Sequence, residues 1–188
     1  MSESPFSFGT KFLAAGALLS GLFLLVGFLL PGRWEAHATT VVEAPAEEIR
    51  PFLTGAEGWR QWTPWPDTGL VVEGPPAGPG SAMRWDHPEY GDGVFRIVDT
   101  LPPRVVRYEV AVQDSALLTR GTLTLNGEGG RTTVTWDEEG DFGWNPLMGY
   151  WALLMGKSQS RELQKDLDAL ARLAAGKAAR ADPQPAER

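Results

Sequence analysis

The densest group of ionisable side chains in the chain is Asp137-Glu138-Glu139-Gly140-Asp141. It closes the run Thr132–Glu138, whose alternation turns Val134, Trp136 and Glu138 to one side. A carboxyl group held against an apolar wall has a raised pKa, and such a group can act as a general acid or base. Glu138 is therefore the first catalytic candidate. Asp141 is a second carboxylate, and Tyr108, with Tyr150 further on, would supply a hydroxyl partner. The same acidic cluster also fits a solvated strand end that turns into a helix. Which description applies depends on whether a carboxylate projects inward within reach of a tyrosine hydroxyl.

Other chemistries are closed off. The chain has no cysteine, so thiolate catalysis, disulfides and Cys-ligated zinc are excluded. His37 and His87 are its two histidines, and neither has carboxylates at ligand spacing, so no metal site is expected. No Gly-x-Ser-x-Gly elbow is present. The Gly74–Gly80 segment lacks the Gly-Lys-Ser/Thr of a phosphate loop, and no cofactor is implied. A net charge of −7 over 188 residues argues against a nucleic-acid partner. No juxtamembrane Lys/Arg cluster is present to draw the chain to anionic lipid.

The elements that would position these groups follow from patterning. Phe12 to Leu30 carries no charge and is close to the ~20 residues that span a bilayer as a helix. Lys11 bounds it on one side and Pro31-Gly32-Arg33 on the other, with Trp34 where an interfacial aromatic belongs. The alternative is a cleaved signal peptide with Ala36-His37-Ala38 as its cleavage site. The apolar stretch is longer than the roughly 7–15 residues of a signal h-region, which favours an uncleaved anchor. Its orientation is not encoded, since Lys11 faces Arg33. A short β run, Thr39–Val42, precedes Pro45, which opens a short helix over Ala46–Leu53. Trp59, Trp62 and Trp65 form a cluster that reads mainly as core. Strands then succeed one another: Ser81–Trp85, Gly93–Asp99, Val105–Val112, Thr119–Leu125 and Thr132–Glu138, the last two joined by a glycine hairpin. Asn145 caps a long helix with Pro146 at its first position, and Leu163, Leu167, Leu170 and Ala174 form its apolar stripe. The division expected is a flank over 1–11, a membrane helix over 12–30, one α+β domain over 33–175 and a disordered tail over 176–188.

Five motifs in order resemble the SRPBCC (START-like) superfamily in its polyketide cyclase/dehydrase branch. They are Val41-Val42-Glu43-Ala44-Pro45-Ala46-Glu47, Trp59…Trp62-Thr63-Pro64-Trp65, Gly78-Pro79-Gly80-Ser81-Ala82-Met83-Arg84-Trp85, Thr133–Trp136 with Glu139–Pro146, and Tyr150…Leu153-Leu154-Met155-Gly156-Lys157. The resemblance implies a helix-grip fold, a curved antiparallel sheet around the C-terminal helix with a cavity between. Gly149 and Gly156 depart from its pattern, standing where a basic and an acidic residue are usual.

Inward-facing Met83, Trp85, Tyr108, Trp136, Tyr150, Trp151 and Met155 would line an apolar pocket with a few polar donors. Ala152, Gly156 and Ser160 would either form its roof or pack closely on the sheet. The leading functional expectation is binding or transport of a hydrophobic small molecule or lipid by a membrane-tethered domain, without catalysis. The alternatives are a polyketide cyclase/dehydrase-like enzyme using pocket acid–base residues, and a structural envelope protein with a groove for a partner.

Overall fold

In a computed structural model, residues 8–181 are described except 67, 90, 103 and 113–116. Seven strands form one antiparallel sheet: β1 (Arg33–Val42), β2 (Leu70–Glu73), β3 (Ala82–His87), β4 (Gly91–Leu101), β5 (Val105–Val112), β6 (Leu117–Glu128) and β7 (Arg131–Asp141). Their spatial order is β1-β7-β6-β5-β4-β3-β2. The helices are α1 (Phe8–Leu29), the short α2 (Ala46–Ile49) and α3 (Ala56–Trp59), and the 36-residue α4 (Pro146–Ala181).

Sequential antiparallel pairing follows from the short turns. The β6–β7 hairpin pairs Glu128 with Arg131 across Gly129-Gly130, both at positive φ, the backbone that a two-residue hairpin requires. A register shift between Ile97 and Asp99 bends the β4–β5 ladder. The sheet curves, and its inner face packs on α4. The Asn145 side chain accepts from Leu147 N–H to open that helix at Pro146. Leu163, Leu167, Leu170 and Ala174 are all buried on one stripe. Each large side chain so removed from water contributes roughly 1.5–3 kcal/mol. This is the helix-grip architecture expected.

Three boundaries differ from expectation. The first strand begins at Arg33, six residues earlier than Thr39, because Trp34, Ala36 and Ala38 alternate inward and pair with the end of β7. Small alanines hide that alternation in the sequence. Trp34 is therefore a core residue, lying over Gly140, where a Cβ would collide with its indole. The apolar N-terminal helix starts at Phe8 rather than Phe12. The last helix continues to Ala181, past Gly176 where a tail was expected, and 182–188 lie outside the described residues.

An edge strand with unpaired backbone needs a cover. On β1 that cover is α4 itself: His37 N–H donates to Ser160 Oγ at 3.1 Å, and a Cβ on Gly156 would stand 2.5 Å from the Glu35 carbonyl oxygen. The Ala152/Gly156/Ser160 stripe is thus a close helix–strand contact, and the same three residues line the groove beside it.

Candidate functional site

The inner face of the sheet carries a polar cluster. Tyr108 on β5, Gly121 on β6 and Glu138 on β7 occupy consecutive registered positions, Tyr108↔Gly121 and Gly121↔Glu138. Because Gly121 has no side chain, the Tyr108 ring lies flat across β6, where any Cβ would overlap it. The Tyr108 hydroxyl thereby reaches β7 and donates to Glu138 Oε1. The Trp136 indole donates to the same hydroxyl at 2.7 Å. From α4, Gln159 Nε2 donates to Glu138 Oε2 at 2.7 Å. No buried side-chain polar atom among the described residues lacks a partner.

Burial sets the electrostatics. Glu138 is 7% exposed, and loss of hydration pushes its carboxyl above the usual value, opposed in part by the bonds from Tyr108 and Gln159. Desolvation, with the Glu138 charge beside it, raises the Tyr108 hydroxyl well above 10.0. Two turns beyond Gln159, half-buried Asp166 is pushed up to about 6, first by desolvation and then by Glu162 and Glu138. All three groups are shifted toward their protonated forms, with burial the first cause of each.

The wall around it is aromatic. Trp59 packs against Tyr108 at 4.8 Å, Phe95 at 4.8 Å and Trp136 at 5.5 Å between ring centroids, and Trp62 meets Trp136 at 5.4 Å. The indole donors of Trp59 and Trp62 are taken by the Leu53 and Phe52 carbonyls, so these two rings present only apolar surface inward. They pack directly against Tyr108 and Trp136 of the cluster.

The expected site residues separate into two groups. Met83, Trp85, Tyr108, Trp136 and Glu138 are all buried on the inner face. Met155 is half-buried against the same core. Tyr150, Trp151 and Asp141 lie elsewhere. Tyr150 stacks on Phe23 of α1 at 4.4 Å, with its hydroxyl donating to the Phe23 carbonyl. Trp151 is 56% exposed. The helix turns these two positions off the stripe that carries Leu163, and no local pattern around them marks that turn. Asp141 caps the turn after β7, its carboxyl lowered by the Gly143 N–H and then by Arg33. His37 pairs with Asp137 on the outer face at 2.6 Å, and the His87 ring accepts from Glu89 N–H. Among the described residues no three potential ligands converge on a metal position.

Gln159, Asp166 and Gly121 escaped the sequence reading. A signal existed for the first two: Gln159 and Asp166 bracket Leu163 at i, i+4, i+7, polar residues on an apolar stripe. Gly121 offered none, since its meaning depends on the strand pairing on both sides.

An open groove of about 1090 Å³ runs beside the α4–β1 contact. It begins at Pro31, Arg33 and Trp34, passes Ala152 and Gly156, and touches Glu138. Glu138 therefore belongs both to the interior cluster and to the groove that leads away from the end of α1.

Residues 33–175 match the family described as "Polyketide cyclase / dehydrase and lipid transport". No curated protein sequence matches the chain. Solved structures share its fold at low identity. Norcoclaurine synthase from Thalictrum flavum, solved with dopamine and hydroxybenzaldehyde, is 12% identical with a TM-score of 0.59, covering 80% of this chain and 91% of that one. The Zhui aromatase/cyclase from a Streptomyces species is 18% identical with a TM-score of 0.56, over 80% of this chain and 96% of that one. DynU16, from the dynemicin biosynthetic locus, is 17% identical with a TM-score of 0.50 over 73% of this chain, which spans 46% of its length.

Proposed function

Since the chain belongs to the polyketide cyclase/dehydrase and lipid transport family, we propose that it is a membrane-tethered protein that binds a hydrophobic small molecule or lipid between its sheet and α4. The observation that carries this reading is the Tyr108–Glu138–Gln159 cluster set in an aromatic wall. Small-molecule sites are mostly apolar with a few placed polar groups, and this interior has that composition. A ligand with one polar group would exchange bonds with Gln159 and Glu138 while its apolar body replaces the rings of Trp59 and Trp62. The groove past Trp34 gives the approach, and it starts where α1 ends.

Tethering rests on α1. Its 22 residues extend roughly 33 Å, close to the ~30 Å of a hydrocarbon core. Almost none of that apolar surface is covered by the domain, so α1 is no core helix. Cleavage after Ala38 would remove the Arg33–Ala38 half of β1 together with buried Trp34, Ala36 and Ala38. That cost favours an anchor that stays attached.

Native mass spectrometry of the detergent-purified full chain tests binding. A co-purifying apolar species, displaced by an environment-sensitive apolar dye, is the expected result. No bound species and no dye binding would overturn the proposal.

One observation favours a second reading, acid–base catalysis on a polyketide-like substrate: a buried carboxyl does lie within bonding reach of a tyrosine hydroxyl. Glu138→Gln separates the two. An enzyme should lose at least ~100-fold in rate. A binder should still take up the apolar dye, whose affinity rests on the aromatic wall and not on the carboxyl.

A further inference from the structure

Phe142 to Gly156 is a second uncharged run, bounded by Asp141 and Lys157. It is too short to span a bilayer, and runs of about this length are commonly core helices or segments lying in a membrane interface. It is not core. Trp144 is 86% exposed, Leu154 68%, and Leu147, Trp151 and Leu153 are each more than half exposed. Leu147, Trp151 and Leu154 recur at i, i+4, i+7 and so share one face of α4. Single exposed apolar residues need no explanation, but a contiguous patch with two tryptophans does.

The position of this patch is fixed by α1. A Cβ on Gly27 would collide with the Pro146 carbonyl, and one on Gly149 would stand 2.8 Å from Leu30 Cβ, so the two helices cross in direct backbone contact. Phe28 and Trp144 pack edge to face at 6.3 Å. The Tyr150 ring stacks on Phe23, which lies six residues, or about 9 Å, before the end of α1. If α1 spans a bilayer, the first three turns of α4 are at the depth of its last two turns. They have no route to bulk water that does not also pull α1 out of the hydrocarbon.

We propose that the N-terminal turns of α4, with Trp144, Leu147, Trp151 and Leu154, lie in the interfacial layer of the bilayer that α1 crosses. The chain then meets that membrane through a spanning helix and an in-plane helix face. The proposal rests on the tethered reading of α1. Tryptophan sits preferentially at the headgroup level, and an interfacial helix buries its apolar face roughly 5–10 Å into the headgroup/acyl boundary. Arg33 and Lys157, exposed at the two ends of the uncharged segments, would keep their charges among the headgroups. Gly149 is then explained as the residue that admits α1. The groove that reaches Glu138 opens at Pro31 and Arg33, so this placement sets its mouth at the lipid surface.

The chain lacks cysteine, so single cysteines can be introduced into the full-length protein and spin-labelled in phosphatidylcholine vesicles. Labels at Leu147→Cys, Trp151→Cys and Leu154→Cys should show severalfold higher oxygen-to-nickel-chelate accessibility ratios than a label at Lys165→Cys. Leu19→Cys in α1 is the internal reference. Nickel-accessible labels on α4 beside a nickel-protected Leu19→Cys would overturn the interfacial face and leave the anchor standing. Nickel access at both would remove the anchor as well. Dipolar broadening between labels at Trp151→Cys would assign the patch to a second copy of the chain and likewise overturn the proposal.

Discussion

Tyr108 reaches Glu138 across an intervening strand, and the glycine at position 121 makes the bond geometrically available. Two other glycines serve aromatics in the same way, Gly93 under Trp85 and Gly140 under Trp34. Each pairs an inward ring with a vacancy on the adjacent strand, which lets large side chains lie along a curved inner face instead of standing on it.

Gly121→Ala should therefore be costly. The new methyl overlaps the Tyr108 ring, and overpacking of this kind typically costs about 1–3 kcal/mol. Gly127→Ala is the matched control, since its Cβ would meet its neighbours at ordinary contact distances. Urea or thermal unfolding of the two variants should separate them clearly. Equal stability would show that Tyr108 finds another rotamer at no cost.

Removing the hydroxyl isolates two partners. In Tyr108→Phe the Trp136 indole N–H and Glu138 Oε1 lose their bonds in a buried site. An unpaired buried polar group costs about 1–3 kcal/mol. A loss within that range is expected by chemical denaturation, together with a shift in tryptophan emission.

The acidic cluster predicts a pH dependence with a definite sign. Asp166 titrates at about 6 in the folded chain against an ordinary 3.8, so folding favours its protonated form. Its contribution is complete below the unfolded value and is lost as pH rises through the folded one. Unfolding midpoints should fall from about pH 4 to about pH 6. Asp166→Asn should flatten that fall, leaving the part due to Glu138, whose carboxyl is raised in the same direction. A midpoint that rises over this interval would contradict the arrangement.

Gly156→Leu should destabilise the domain rather than merely fill a pocket. Its side chain meets the Glu35 carbonyl and forces α4 off β1, breaking the His37–Ser160 bond. Ser160→Ala isolates the hydrogen bond alone and should cost about 0.5–1.5 kcal/mol. Amide exchange at His37 would report both changes.

Mass measurement of the protein from cells should find α1 still attached. A chain that starts at Thr39 should fail to fold, because it lacks Trp34, Ala36 and Ala38 and leaves the last residues of β7 unpaired. Recovery of a stable, folded chain with that N-terminus would refute the anchor.

Local chemistry determined much of this protein from sequence alone. The apolar run before Pro31, the alternation of Val106, Tyr108 and Val110, the Gly129-Gly130 hairpin and the Asn145-Pro146 helix start each depend on neighbours within a few residues. The inward direction of Glu138 was legible for the same reason, since strand alternation needs no partner. Other features depend on contacts between distant segments, and only the tertiary structure decided them. Gly121 acquires its role from strands on both sides, and Gln159 meets Glu138 only because α4 returns across the sheet. Trp34 moved from interface to core because Gly140 leaves room for it, and Tyr150 and Trp151 left the interior because α1 takes one face of α4 and leaves another bare. Side-chain period follows from the backbone at each residue, whereas the occupant of the facing space follows from packing that no single segment encodes.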